Sequence, residues 1–291
     1  MDERMITTPT GVEICTQAFG DPADIPTLLI MGAGASMVRW DERFIGQYVG
    51  AGRYAIRFDN RDTGRSSCCP VGEPDYTLRD MADDAIAVLD AYDIETAHVM
   101  GRSMGGMITQ HVVLDHPKRV RTATLLYSTP SPGVARAGGD DSDLPGTTEA
   151  LRAVAARAPE AGASEDARRE HMLDMQRVLN GSRYPLDVER TRELARTEIQ
   201  RARNYDASGN HGTAIGNSAP WRHRLGEIDK PTLVVHGTED PILQFPHGEA
   251  LVREIKGAEL MVLEGVGHAL PEPIWNELIE RLVAHTAQGN N

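Results

Sequence analysis

The sequence predicts an α/β fold in which a mostly parallel, doubly wound sheet carries a helical cap insertion. Short apolar runs typical of buried strands alternate with segments whose apolar residues recur at helical spacing. This alternation is interrupted by a central block that lacks convincing strands. We therefore expect a first core part over residues 1–129, a helical cap over residues 130–224 and a second core part over residues 225–291.

The individual elements follow from local patterns. Residues 5–7 and 12–18 are expected to pair antiparallel around a turn at Pro9-Thr-Gly11. Amphipathic spacing predicts helices over residues 77–92 and 104–114. The remaining predicted strands are continuous apolar runs at residues 26–31, 54–58, 97–100, 121–126, 231–237 and 258–263.

The predicted cap begins with residues 131–145, where Gly, Pro, Ala and Asp dominate. Helical segments follow at 149–156, 165–179 and 187–202. Because structureless loops beyond about 12–15 residues are uncommon in compact domains, a helical insertion over the carboxyl edge of the sheet is favoured. Such a cap would cover a pocket, although its large side chains could equally form its own core. The candidate pocket residues are Met172, Met175, Tyr184, Tyr205 and Trp221.

Composition narrows the class of protein. The 291 residues include 30 basic and 43 acidic side chains, a formal net charge of −13, which disfavours nucleic acid and anionic membranes as partners. No apolar run approaches the ~20 residues that span a bilayer, and the charged start does not resemble a signal peptide. Three cysteines do not make a disulfide framework. We therefore predict a cytoplasmic protein.

The stretch Gly101-Arg-Ser103-Met-Gly105 joins a predicted buried strand to a predicted helix. A serine flanked by glycines at this kind of junction is the nucleophile-elbow pattern G-x-S-x-G. Glycines lack a Cβ, so the strand and the helix pass closely beside the turn and the Ser103 hydroxyl projects above the sheet. The alternative is an ordinary turn whose serine caps the helix.

A candidate acid and a candidate base follow Ser103 in the chain, in the order serine, aspartate, histidine that a nucleophile elbow of this kind requires. Asp240 comes after the predicted strand 231–237, and His268 comes after the predicted strand 258–263. Both lie at carboxyl ends of strands, where open parallel sheets build their sites. His268 is therefore expected to take the proton from Ser103, while Asp240 holds the imidazole tautomer.

The loop Gly32-Ala33-Gly34 follows the first buried strand and consists of small residues. It is either a flexible connector or the source of an oxyanion-hole N–H beside that of Met104. Ala33 is the first candidate for the donor, with Gly32 and Gly34 as alternatives. A dinucleotide site is disfavoured because G-x-G-x-x-G is incomplete here.

Other residues could serve as acid, base, metal ligand or nucleophile, but the sequence supports them less well. Glu239 is an alternative acid, and His236 and His247 are alternative bases, although neither histidine follows the last strand. His111 and Asp115 share a helix face, but no third metal ligand is evident, so a structural role is favoured over a metal site. The remaining nucleophile candidates, Cys68 and Cys69, have no histidine nearby in the sequence.

Three motifs resemble the α/β-hydrolase family: Gly-Arg-Ser103-Met-Gly-Gly, Gly-Thr-Glu-Asp240-Pro and Gly-Val-Gly-His268-Ala-Leu-Pro. More narrowly, the segments Phe19-Gly-Asp-Pro-Ala-Asp24, Met31-Gly-Ala-Gly and Phe58-Asp-Asn-Arg-Asp-Thr-Gly-Arg-Ser66 resemble the aclacinomycin methylesterase group, as do Asp240-Pro-Ile and Pro246-His-Gly248. Those enzymes remove a methyl ester from an anthracycline polyketide.

The resemblance implies an esterase without a cofactor, a Ser103, Asp240 and His268 triad, and oxyanion donors at Ala33 and Met104. Ala33 stands where that group has a second glycine, a change that leaves a backbone donor in place. Cleavage of a polyketide-type methyl ester or a macrolide lactone is expected. Alternatives are a carbon–carbon hydrolase or a cofactor-free haloperoxidase with the same triad, and a ligand receptor that retains only the pocket.

Overall fold

The computed structural model describes residues 2–131 and 143–289, within which eight strands form one sheet. Along the sheet the strands lie in the order β1-β2-β4-β3-β5-β6-β7-β8. The strands are β1 (Arg4–Thr7), β2 (Glu13–Phe19), β3 (Ile25–Ile30), β4 (Arg53–Phe58), β5 (Ala97–Arg102), β6 (Val120–Leu126), β7 (Thr232–Gly237) and β8 (Glu259–Leu263).

The sheet is antiparallel at one edge and parallel elsewhere. The pairs β1·β2 and β2·β4 are antiparallel, and every pair from β4 to β8 is parallel. Parallel strands end at the same edge of a sheet, so the loops after β3, β5, β6, β7 and β8 meet there. The predicted mostly parallel sheet is confirmed.

Helices cover both faces of the sheet because the strand side chains alternate between two apolar layers. Leu28 and Ile30 belong to one layer, whereas Leu29 and Met31 belong to the other. The described helices outside the β6–β7 connection are α1 (Glu42–Gly50), α2 (Leu78–Ala91), α3 (Met104–Asp115), α8 (Pro246–Glu254) and α9 (Trp275–Gln288). None of the helices in the described part of the chain is both long and apolar enough to span a membrane.

The connection between β6 and β7 is helical where the structure describes it. Its helices are α4 (Glu149–Ala155), α5 (Glu165–Leu179), α6 (Val188–Arg201) and α7 (Asn210–Asn217). Side chains of Thr148, Ser164 and Asp187 accept hydrogen bonds from the first turns of α4, α5 and α6, which satisfies N–H groups that lack intrahelical partners. Most of the predicted Gly- and Pro-rich stretch, residues 132–142, lies outside the described residues.

Candidate active site

Ser103 lies in a sharp turn between β5 and α3, at the carboxyl edge of the sheet. Its backbone has φ 56° and ψ −121°, a conformation that costs a residue with a side chain about 1–3 kcal/mol. A Cβ on Gly101 would lie 2.0 Å from the carbonyl oxygen of Gly105, and one on Gly105 would lie 2.2 Å from that of Ile30. The Ser103 N–H donates to the Leu126 carbonyl at 2.8 Å. Closely packed backbone therefore holds the strained serine in place.

Asp240 and His268 are buried and contact each other, with His268 Nδ1 2.6 Å from Asp240 Oδ2. Because a carboxylate oxygen accepts, Nδ1 carries a hydrogen, and in the neutral ring Nε2 then has the lone pair. The second carboxylate oxygen accepts from the N–H groups of Ile242 and Leu243, each at 2.9 Å. Burial alone raises the pKa of Asp240, but the charge of His268 and its hydrogen bond hold that pKa below the ordinary value. An ionised carboxylate thus orients the ring, as a general base requires.

The rival acid and bases have other partners. Glu239 accepts hydrogen bonds from the amide and the hydroxyl of Ser182, each at 2.7 Å. His236 is fully buried, with Nε2 2.6 Å from the Leu243 carbonyl oxygen, and both ring nitrogens of His247 are hydrogen-bonded. In the described part of the chain, His268 is the one of the three histidines that lines the cavity beside Ser103.

That cavity has a volume of about 350 Å³ and lies between the sheet edge and the helices of the β6–β7 connection. Ser103, His268 and residues 32–34 line it, together with Met104, the first residue of α3. The candidate pocket residues Met172, Met175 and Tyr205 also line it. Most of the remaining wall is apolar, formed by Met31, Ala35, Met107, Leu179, Ile215, Ile242 and Leu243, with Arg39, Arg102 and Gln176 as polar members. The predicted nucleophile, base and oxyanion loop therefore share one cavity.

Two candidate pocket residues lie elsewhere in the described structure, which corrects their placement. Trp221 is 1% exposed, its ring lies 4.6 Å from that of His111, and its Nε1–H donates to Gln110 at 2.8 Å. A buried indole N–H requires an acceptor, and α3 supplies this one. Tyr184 packs against the apolar layer on the α1 and α9 side of the sheet and beneath the Arg183 guanidinium. Both rings contribute to packing instead of the cavity wall.

The loop after β3 lies directly beside Ser103. A Cβ on Gly32 would lie 3.0 Å from the Cβ of Ser103, so a larger residue at this position would require Ser103 to shift. Gly34 has φ 68°, and its N–H donates to Nδ1 of His211 at 2.9 Å. Because the Gly34 amide is engaged, Ala33 and Gly32 remain as candidate oxyanion donors from this loop.

Arg102 and Tyr127 contact His268, the candidate base, and are not among the site residues predicted from the sequence. Arg102 Nη2 donates to the carbonyl oxygen of His268 at 2.8 Å. Its guanidinium lies 5.8 Å from the centre of the Tyr127 ring, and that ring lies 5.6 Å from the His268 ring. Tyr127 follows β6 with φ 49°. Its place after a parallel strand, at the same edge as Ser103, was the available signal.

The remaining candidates for chemistry are the possible metal ligands His111 and Asp115 and the two thiols Cys68 and Cys69. Asp115 accepts a hydrogen bond from Arg224 at 2.8 Å, and His111 Nδ1 lies 3.9 Å from Asp115. Within residues 2–131 and 143–289, no group of three or more His, Cys, Asp or Glu side chains is arranged to hold a metal. Burial raises the pKa of the Cys68 and Cys69 thiols, which disfavours the nucleophilic thiolate.

Buried His111 predicts a pH dependence of stability. Burial lowers its pKa to about 4 from 6.5, so the unfolded state binds more protons between these pH values. The free energy of unfolding should therefore fall by about 3 kcal/mol as the pH drops from 6.5 to 4, from this residue alone. Urea unfolding from pH 7 to pH 4 should show that His111→Phe lacks this part of the loss. An equal loss in both proteins would contradict the assignment.

Comparisons with known proteins agree with this architecture. Residues 26–272 match the family model for the alpha/beta hydrolase fold. The chain belongs to the α/β-hydrolase family. A rhodomycin D methylesterase of Streptomyces peucetius is 31% identical over 294 residues, which cover 98% of each chain. The predicted resemblance to the methylesterase group is thereby confirmed.

Two further proteins are similar to this chain at lower sequence identity. A putative carbamate hydrolase of Variovorax paradoxus is 28% identical over 85% of this chain and 86% of its own. The solved structure of an esterase from Exiguobacterium antarcticum has a TM-score of 0.78 at 21% identity, over 97% of this chain and 98% of its own. The structural likeness concerns the fold, which confirms the predicted α/β-hydrolase architecture.

Proposed function

We propose that this α/β-hydrolase is a serine hydrolase that cleaves a carboxylic ester or lactone through an acyl-enzyme intermediate. The observation that carries the proposal is the 2.6 Å contact between His268 Nδ1 and Asp240 Oδ2, in a ring that lines the same cavity as Ser103. This contact leaves Nε2 of His268 available as a base. The likeness to a methylesterase over nearly the whole chain supports an ester as the scissile bond.

In the acylation step, His268 Nε2 removes the hydroxyl proton of Ser103 while Oγ forms a bond to the ester carbonyl carbon. The carbonyl oxygen becomes an oxyanion, which the N–H groups of Ala33 and Met104 stabilise. When the tetrahedral intermediate collapses, the carbon–oxygen bond to the alcohol breaks. The imidazolium then gives its proton to the leaving alkoxide.

Deacylation repeats these steps with water. His268 Nε2 takes a proton from water as the hydroxide oxygen bonds to the acyl carbon, and the bond to Ser103 Oγ then breaks. The proton returns to Oγ, which releases the carboxylic acid and restores the enzyme. Asp240 stays ionised throughout and stabilises the imidazolium that forms in each half-reaction.

The cavity wall supports a bulky, mainly apolar substrate. Methionines contribute much of the lining, and their flexible, polarizable side chains suit large or irregular ligands. A cavity of about 350 Å³ lies within the ~300–1,000 Å³ range of small-molecule sites. Together with the methylesterase relative, these features support a polyketide-type methyl ester, or a macrolide lactone, as the substrate class. The helices of the β6–β7 connection would act as the cap over it.

Hydrolysis of a defined panel of compounds tests this proposal. The panel contains methyl esters of polycyclic aromatic acids, macrolactones, short p-nitrophenyl esters and a 1,5-diketone. We expect the bulky esters or lactones to give the highest kcat/KM, and a fluorophosphonate probe to add its mass to the peptide that carries Ser103. Ser103→Ala is the control for labelling.

Two outcomes would overturn the proposal. Faster cleavage of the diketone than of any ester would indicate a carbon–carbon hydrolase. A protein that binds panel members but neither turns them over nor labels with the probe would indicate a receptor on a hydrolase scaffold.

A further inference from the structure

The loop that follows β3 is anchored by polar side chains at both ends. Asn60 Nδ2 donates to the carbonyl oxygen of Met31 at 2.9 Å. Three residues later, the N–H of Gly34 donates to Nδ1 of His211 at 2.9 Å. Ala33, the candidate oxyanion donor, therefore lies between two fixed points of the backbone.

One of these anchors comes from the helical connection above the cavity. His211 belongs to α7, is 1% exposed and lies 177 residues from Gly34 in the sequence. A second contact of the same kind lies nearby, because Glu198 of α6 accepts a hydrogen bond from the Ser36 N–H at 2.9 Å. The helices over the cavity thus hold two amides of the loop that borders it.

The hydrogen bonds of His211 define its protonation. Nε2 lies 2.6 Å from the carbonyl oxygen of Arg61, which only accepts, so Nε2 carries the hydrogen. Nδ1 receives the Gly34 N–H, so it must have a lone pair. Both contacts are satisfied together only by the neutral ring with hydrogen on Nε2. Burial lowers the pKa of His211, which favours this neutral form.

We propose that His211 is a positioning residue that sets the direction of the oxyanion-hole N–H of Ala33. Gly34 has φ 68°. Because glycine adopts positive and negative φ about equally readily, the backbone here has considerable freedom unless a contact restrains it. By accepting the Gly34 N–H, His211 fixes the peptide plane between Ala33 and Gly34. The orientation of that plane sets the ψ torsion of Ala33. It thereby sets the orientation of the peptide between Gly32 and Ala33, which carries the Ala33 N–H that faces the developing oxyanion.

In this arrangement the geometry of the oxyanion hole depends on the position of α7, the helix of the β6–β7 connection that carries His211. His211 contacts Gly34 on one side and Arg61 on the other, so α7 joins the loop after β3 to the loop after β4. A displacement of α7 would release the Gly34 amide. This inference rests on the proposed function, because it assigns His211 a role in stabilising the oxyanion of ester hydrolysis.

Two substitutions separate the two hydrogen bonds of His211. In His211→Asn, Oδ1 takes the position of Nδ1 and still accepts the Gly34 N–H. In His211→Gln, the longer amide reaches the Arg61 carbonyl but leaves no acceptor at the Nδ1 position. The variants have similar polarity, so a comparison of their kcat and KM values isolates the contact to Gly34.

We expect His211→Gln to lower kcat about 100-fold with little change in KM, the effect of a lost oxyanion donor. His211→Asn should retain most of the kcat. The matched control is His285, another buried histidine whose Nε2 lies 2.9 Å from a carbonyl oxygen, that of Ala123. His285→Asn and His285→Gln should leave kcat close to that of the unsubstituted protein. Equal kcat losses in the two His211 variants, no loss in either, or a loss confined to KM would overturn the proposal.

A measurement on the unsubstituted protein does not depend on the folding of any variant. The nitrogen chemical shifts of ¹⁵N-labelled histidine should place the hydrogen of His211 on Nε2 at neutral pH, with Nδ1 unprotonated. A proton on Nδ1 would overturn the proposal. Failure of the proposed function is distinguishable, because it would appear as absent ester turnover in the unsubstituted protein while the His211 tautomer is still measured.

Discussion

Replacement of Ser103 by alanine is expected to lower kcat for ester hydrolysis on the order of 10⁶-fold, as removal of the nucleophile does in a serine hydrolase. In the proposed mechanism, the hydroxyl oxygen of Ser103 is the atom that bonds to the acyl carbon, and His268 and Asp240 act through it. The fold should remain intact, because the Ser103 contacts that hold the elbow come from its backbone. Steady-state kinetics with the best substrate of the panel and the unfolding midpoint in urea measure the two quantities.

The same assay tests the assigned acid. Asp240→Asn should lower kcat about 10⁴-fold, because the amide no longer holds the required His268 tautomer. The matched control is Glu239→Gln at the adjacent carboxylate, which contacts Ser182 at the exposed surface. That variant should remain close to full activity. Full activity of Ser103→Ala, or a larger loss in Glu239→Gln than in Asp240→Asn, would contradict these assignments.

The second large effect concerns stability. Gly101→Ala should lower the free energy of unfolding by at least about 3 kcal/mol, because overpacking against backbone cannot be relieved by a rotamer change. The added Cβ would lie 2.0 Å from the Gly105 carbonyl oxygen and 2.3 Å from Thr109 Oγ1. Urea unfolding measures the loss, and kcat should fall as well because Ser103 lies two residues away.

Gly46 in α1 is the matched control, since a Cβ there would meet no atom within 4 Å. Gly46→Ala should raise the free energy of unfolding by about 0.5–1 kcal/mol through the higher helix propensity of alanine. A Gly101→Ala protein as stable as the unsubstituted one would contradict the close strand–helix approach at the elbow.

Much of the candidate site could be predicted because parallel strands bring distant loops to one edge. Ser103, Asp240 and His268 each follow a buried apolar run, and a run of that kind is visible in the sequence without knowledge of its neighbours. The loops after parallel strands then meet because these strands end at the same edge of the sheet. The Asp240–His268 contact at 2.6 Å agrees with that expectation at the level of atoms.

Side-chain partners between elements could not be predicted in the same way. Trp221 and Met172 are both large apolar residues of the central block, yet Trp221 packs against His111 and Met172 lines the cavity. The hydrophobic effect favours the removal of an apolar side chain from water, but it is non-directional and does not determine which apolar surface the side chain packs against.

The sequence by itself determined the mostly parallel sheet, the strand–turn–helix pattern at Ser103 and the chain positions of the candidate acid and base, because these depend on local periodicity and on rules of strand connection. Only the tertiary structure decided that the Gly34 amide is engaged by His211, that Arg102 holds the His268 carbonyl, and which side chains of the β6–β7 connection face the cavity. Hydrogen bonds between segments far apart in the chain depend on angstrom-scale placement, which no local pattern encodes.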